Sequence, residues 1–333
     1  MNIKNITLSC LMMSFIACSC GKKVTKDNAT ETRANTYTQV SPDFNADSAY
    51  YYVDKQVSFG PRVPNSAEHT ACGDYLVAEL KRFGANVTEQ KADLKAFDGK
   101  ILHSRNIIGS YNVENSNRIL LFAHWDTRPF SDQDPDKAHY NTPVQGANDG
   151  ASGVGVLLEI ARAFQEKTPD VGVDIIFFDA EDYGTPSFVE DAPVGEWWCL
   201  GSQYWSKNPH VANYTARFGI LLDMVGGVDA TFYKEYYSRQ YANGIVEKVW
   251  GTARSLGYGK YFVDKNGGGI LDDHISVNQN RRIPSIDIIQ HDPNTESGFG
   301  WYWHTTKDDM NSISRETLKA VGQTVLEVVY KEK

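Results

Sequence analysis

The 333-residue chain has no surplus of positive charge: 33 lysines and arginines stand against 42 aspartates and glutamates, a net charge of -9. Binding a nucleic acid backbone needs the opposite balance, so nucleic acid is excluded as the expected partner. Cysteine is also scarce. Three of the five (Cys10, Cys18 and Cys20) fall in the first twenty residues, and the remaining two, Cys72 and Cys199, give no disulfide framework. Internal repeats are missing, and so is any apolar run of the roughly 20 residues that a membrane-spanning helix requires. With 41% hydrophobic and 23% charged residues, the composition is that of a globular enzyme-sized domain.

The first twenty residues read as an export signal. Lys4 precedes a short apolar run from Ile6 to Ala17, and Ala17-Cys18-Ser19-Cys20 follows. A small residue before a cysteine resembles the bacterial lipoprotein signal, which implies a lipid-carrying N-terminus at Cys18, or failing that Cys20. Membrane association would then come only through that anchor, and the site of action would be periplasmic or in the cell envelope. Residues 21–42 are polar and lack apolar periodicity, which predicts a tether. Residues 43–333 are expected to form one catalytic domain.

Within that domain, helical spacing of apolar residues alternates with short, almost wholly apolar runs. Helices are predicted from Asn45, from Ser66 to Gly84, over Ala151–Glu166, Tyr241–Leu256 and Arg315–Tyr330. Strands are predicted at Arg105–Gly109, Ile119–Ala123, Asp174–Phe178, Phe218–Leu222 and Ser285–Ile289. The pattern predicts an α/β fold, an open and mostly parallel twisted sheet with helices on both faces. Functional residues of such sheets gather beyond the carboxyl ends of the strands.

Five segments place metal-type ligands there: His124-Trp125-Asp126, Asn148-Asp149-Gly150, Asp179-Ala180-Glu181-Asp182, Asp223, and Trp303-His304-Thr305. Each is weak alone. An Asp before a helix is more often a cap, an acidic pair is often a solvated turn, and a lone histidine is often packed in a core. Together they suggest zinc, which takes imidazole nitrogen and carboxylate oxygen and in catalytic sites commonly has three protein ligands. Asp149, Asp182 and His304 are the expected three. Adjacent Glu181 and Asp182 would repel unless a cation or a proton neutralises them.

The order His-x-Asp, Asn-Asp-Gly, Glu-Asp, Asp, His resembles the co-catalytic zinc aminopeptidase family over nearly all of residues 45–333. The stretch His124 to Pro135, with Phe177 to Gly184, Leu271-Asp272-Asp273-His274 and Trp303-His304-Thr305, is similar to its glutaminyl cyclase branch. That resemblance implies conversion of N-terminal glutamine of peptides and proteins to pyroglutamate, with release of ammonia. It implies one zinc per chain, Glu181 as proton shuttle, and Asp223 and Asp272 as carboxylate partners of Glu181. The pocket walls are expected from Trp303, Trp198 or Trp197, Phe299 and Trp301. His124 and Asp126 are either the family's signature or part of a second metal site. The alternative activity is that of a two-zinc aminopeptidase, since His124, Asp149, Asp182, Asp223 and His304 would supply all five ligands. Two departures stand out. Asp182 is one methylene shorter than the glutamate common at that position, and Leu271 replaces the glutamine of animal cyclases.

Overall fold

In the computed structural model the described residues are 37–191 and 193–333. The expected signal peptide, Cys18, Cys20 and most of the tether lie outside them. The folded unit starts at Tyr37, ahead of the expected residue 43. Glu327 accepts hydrogen bonds from the Tyr37 hydroxyl and from the backbone N–H groups of Val40 and Ser41, which ties the tether's last residues to the C-terminal helix.

The elements run α1 (Ala46–Val57), α2 (Ala67–Arg82), β1 (Asn86–Lys95), β2 (Ile101–Tyr111), β3 (Arg118–His124), α3 (Ala151–Glu166), β4 (Gly172–Phe178), α4 (Leu200–Lys207), β5 (Gly219–Asp223), β6 (Phe232–Lys234), α5 (Tyr236–Ser255), β7 (Phe262–Asn266), α6 (Asp273–Ser276), β8 (Ser285–Ile289) and α7 (Arg315–Lys331). The main sheet has the order β1-β2-β4-β3-β5-β8. It is parallel through β4, β3, β5 and β8, while β1 and β2 add an antiparallel edge. A separate parallel pair joins β6 and β7.

Side chains alternate between faces along each strand, so near-continuous apolar strands must be covered twice. One face of β3 and β4 (Ile119, Leu121, Val173, Ile175, Phe177) packs in a core with α1, α2, α3, α5 and α7. The other face (Leu120, Phe122, Ile176, Phe178) packs against Trp205 of α4 and against Val277 and Ile283 following α6. Truncating fully buried Phe122 to alanine is expected to cost about 3–5 kcal/mol. The double covering fixes the strand ends, where β3 delivers His124 and β5 delivers Asp223.

The helix expected from Ala151 to Glu166 has those limits, and β8 matches the predicted Ser285–Ile289. The helix predicted from Tyr241 starts earlier, at Tyr236, because Glu235 caps it by accepting from Tyr237 and Ser238 N–H. The strand β1 was not expected.

Candidate active site

The loop between β3 and α3 brings Asp149 inward. Asp149 does not cap α3: the cap position belongs to Gly150, at φ 95°, with no side-chain hydrogen bond. A Cβ at Gly150 would sit 2.8 Å from the Asp126 carbonyl oxygen and 3.1 Å from His124, so the tight approach requires glycine. Asp308, a residue not singled out by the sequence, accepts the N–H groups of Asn148 at 2.8 Å and Asp149 at 3.0 Å and so holds this turn.

After β4 the chain turns through Ala180 at φ 54°, a left-handed conformation unusual for a residue with a Cβ. Asp126, fully buried, accepts the N–H groups of Glu181 at 3.0 Å and Asp182 at 3.2 Å. Asp126 therefore positions the acidic pair and, among the described residues, belongs to no group of metal-type ligands. His304, at φ 53°, is stacked on Trp303 with ring centroids 3.8 Å apart.

Asp149, Asp182 and His304 converge as the sequence predicts, each offering a ligand atom within 4.8 Å of the other two. His304 Nε2 lies 3.2 Å from Asp182 Oδ1 and 3.4 Å from Asp149 Oδ2. Bonds of 2.0–2.2 Å in a tetrahedral zinc site imply ligand separations of about 3.3 Å, so the arrangement fits. Buried Asp182 Oδ1 has no hydrogen-bond partner among the described residues, which also suits a cation. His304 Nδ1 points toward Asp132 Oδ1 at 3.8 Å, on the side where a ligating histidine is usually oriented by a carboxylate. Asp132 is itself paired with buried Arg128, whose guanidinium lies 4.6 Å from the Trp198 ring centre.

A second ligand group, His124, Asp149 and Asp223, is also complete. His124 Nε2 is 3.0 Å from Asp149 Oδ1 and 3.2 Å from Asp223 Oδ1. Burial alone would lower the His124 pKa, but Asp126, Asp149 and Asp223 raise it well above the usual range. Burial likewise raises the Asp149 carboxyl, yet hydrogen bonds from His124 and His304 outweigh it and the net shift is down.

The triad opens on a cavity of about 250 Å³ lined also by Glu181, Asp223, Asp272, Trp198, Phe299 and Trp303. His124 is not part of that lining. Burial pushes Glu181 well above the usual carboxylate range; His124 partly offsets this, while Asp182 and Asp272 add to it. Burial raises Asp223 to about 6 and Asp272 to about 7, the latter helped by the Asp223 charge. Behind Asp272, burial and the Asp272 carboxylate push Asp287 well up too.

Two expected wall residues are misplaced. Trp301 is 70% exposed and borders a neighbouring cavity of about 490 Å³ with Lys307 and Asp309. The alternation of the loop turns Phe299 and Trp303 inward and Trp301 outward. Trp197 packs beside the cluster around Phe97 and Tyr183, with its indole N–H donating to the Pro193 carbonyl at 2.7 Å. Trp198 takes the wall instead. It comes so close to Gly184 that a Cβ there would lie 2.0 Å from the indole. The sequence also left unassigned the Cys199 thiol, which donates to Glu181 Oε1 at 3.2 Å. A contact between two separate loops, unmarked by any motif, has no signal in sequence spacing.

An α/β sheet that brings two carboxylates and an imidazole to one face of a small pocket, with a partly buried glutamate beside them, defines a metalloenzyme of the hydrolase and acyl-transfer type. The chain belongs to Peptidase family M28, which matches residues 106–329. Aminopeptidase YwaD of Bacillus subtilis is 30% identical over 86% of this chain; the chain spans 57% of YwaD's length. Among solved structures, a Zn-dependent exopeptidase from Parabacteroides distasonis is 65% identical, with TM-score 0.86 over 87% of this chain and 99% of that one. Bacteroides thetaiotaomicron glutaminyl cyclase, bound to N-acetylhistamine, is 60% identical, with TM-score 0.86 over 88% of this chain and all of its own, 100%.

Proposed function

We propose that this protein is a zinc-dependent glutaminyl-peptide cyclotransferase that closes the N-terminal glutamine of peptides and proteins to pyroglutamate. The observation that carries the reading is the pairing of Glu181 and Asp272 on the wall of a small, aromatic-lined cavity that also holds the Asp149–Asp182–His304 triad. The likeness to the Bacteroides thetaiotaomicron glutaminyl cyclase, which extends over that enzyme's full length, supports it.

When bound by the triad, zinc supplies Lewis acidity toward the glutamine side-chain carbonyl. Trp198, Phe299 and Trp303 enclose an uncharged side chain and exclude water. The Glu181 carboxylate accepts a proton from the α-amine as the nitrogen–Cδ bond forms, and returns it to the amide nitrogen as the Cδ–Nε bond breaks and ammonia leaves. The upward shift of Glu181 suits a group that must both take and give that proton. Asp272 and Asp223, both shifted upward, can hold protons near it and so limit the charge the pocket must carry.

One zinc per chain is part of this reading. It is supported by the place of His124, which lies outside the cavity lining while its partners Asp149 and Asp223 are part of it, so the second ligand group is only partly open to the substrate. The complete His124–Asp149–Asp223 group is the observation that favours the second reading, a two-metal aminopeptidase. The test offers a glutaminyl peptide and a leucine anilide to the zinc-loaded protein. Ammonia and pyroglutamyl peptide are expected from the first, and free leucine from the second would favour the aminopeptidase.

We also propose export and a lipid anchor at Cys18 or Cys20, supported by the leader sequence. Mass spectrometry of the mature N-terminus tests this, and an unlipidated start beyond Cys20 would contradict it.

A further inference from the structure

Glu181, Cys199 and Asp272 form a third group of metal-type ligands, separate from the two groups built on Asp149. Each offers one donor atom within 4.8 Å of the other two. The group is well anchored. Cys199 N–H donates to the Glu181 carbonyl at 2.9 Å and Leu200 N–H to the Ala180 carbonyl at 3.0 Å, which locks the two loops together. Cys199 itself holds a left-handed backbone at φ 57° at the start of α4. Asp272 caps α6 with Oδ1 accepting from Asp273 N–H, while its Oδ2, buried, has no hydrogen-bond partner among the described residues.

That unpartnered oxygen is the second observation, beyond the cluster itself, that points to a ligand. The spacing agrees with it. Cys199 Sγ and Glu181 Oε1 are 3.2 Å apart, and zinc bonds of about 2.3 Å to sulfur and 2.0–2.2 Å to oxygen imply a separation of about 3.5 Å. A thiolate among the donors selects soft or borderline cations over magnesium and calcium.

We propose that Cys199, Glu181 and Asp272 bind a second, inhibitory thiophilic divalent cation such as zinc or cadmium, beside the active-site triad. The cation enters through the pocket that Glu181 and Asp272 line. On binding, the thiol proton leaves to solvent and a metal–sulfur bond forms, with no change in oxidation state. Glu181 is then a ligand and no longer free to take a proton from the substrate amine. The inhibitory effect rests on the cyclase reading above; the binding does not.

The experiment uses the full-length protein with Cys10, Cys18 and Cys20 replaced by serine, so that no leader thiol binds cadmium; loaded with one equivalent of zinc it serves as the wild type for two variants, Cys199→Ser and Cys199→Ala. Cadmium chloride is titrated while the ultraviolet charge-transfer band of a cadmium–thiolate bond is followed. Separately, excess zinc chloride is titrated against cyclisation, each variant being scored against its own rate without added zinc. The wild type is expected to show the band and to lose at least tenfold in turnover. Both variants should show no band and need at least tenfold more zinc for the same fractional loss. Magnesium chloride should do nothing to any of them. The absence of the band in the wild type, its persistence in Cys199→Ser from buried Cys72, or equal zinc sensitivity in all three proteins would overturn the proposal. If no protein cyclises glutaminyl peptides but the band still depends on Cys199, the cation site stands and the cyclase reading falls.

Discussion

On one side of the pocket, Asp149 and Asp182 face His304, His124 and Arg128; on the other, Glu181, Asp272 and the Asp287 behind it lie mainly among further carboxylates, Asp182, Asp223 and Asp273. Both sides bury carboxyl groups, which is costly unless the charge is compensated. On the first side compensation comes from cationic or ligating partners, and the Asp149 pKa is shifted down, although burial and the Asp149 charge still leave Asp182 shifted up. On the second it comes from protons, and Glu181, Asp272 and Asp287 are all shifted up, by burial first and then by the neighbouring carboxylates Asp182, Asp223 and Asp272. Neither Asp287 oxygen has a hydrogen-bond partner among the described residues. One pocket thus holds a half suited to gripping a cation and a half suited to carrying protons. Ring closure with loss of ammonia needs both.

The sharpest way to break this division is to disable each half and see what survives. Glu181→Gln should lower kcat by roughly a thousandfold, within the range of general acid–base catalysis, while bound zinc is retained. His304→Ala should do the reverse in metal analysis, losing both zinc and activity. If Glu181→Gln lost the metal as well, the two halves would not be separable. Next in size is Asp126→Asn. It leaves every ligand in place but weakens the carboxylate that aligns the Glu181 and Asp182 backbones, so zinc affinity should fall about 10- to 100-fold. Equilibrium dialysis measures that loss, and unchanged affinity would show that Asp126 is not needed for alignment.

A smaller effect concerns Asp287, which is not one of the zinc triad. Its folded-state pKa is raised above the value of about 3.9 for a free aspartate. The folded form therefore holds a proton that the unfolded chain has already released. Stability from this group is present below the unfolded pKa and is lost as pH rises through the folded one. Asp287→Asn should flatten that decline. Urea unfolding of both proteins from about pH 4 to pH 8 would measure it, and parallel stability curves would contradict the assignment. The smallest effect is at the rim: Trp198→Ala should raise KM for glutaminyl peptides, whereas exposed Trp301→Ala should leave kcat/KM near wild type. An equal loss in both would return Trp301 to the wall.

Much of this was legible in the sequence because strands covered on both faces are almost purely apolar. Ile119 to Ala123 and Ser285 to Ile289 could hardly be read otherwise, and each points to a strand end. By contrast β1 alternates exposed and partly exposed residues, with Lys91 and Lys95 along it, so its polarity hid an edge strand. The zinc triad was readable from ligand types after strands. Which aromatic faces inward was not, because composition places Trp197, Trp198 and Trp301 in the right loops but not on the right side. Cys199, Asp308 and Asp287 act through contacts between distant segments, and nothing local marks them.

The division between a cation-holding half and a proton-carrying half makes one direct claim: the product is a ring, and the nitrogen that leaves is the side-chain amide. A peptide whose N-terminal glutamine carries heavy nitrogen in that amide, incubated with the zinc-loaded protein, separates the outcomes by mass spectrometry. The account predicts labelled ammonia and an unlabelled pyroglutamyl peptide of unchanged residue count. Release of free glutamine with the label retained, and a peptide one residue shorter, would contradict it.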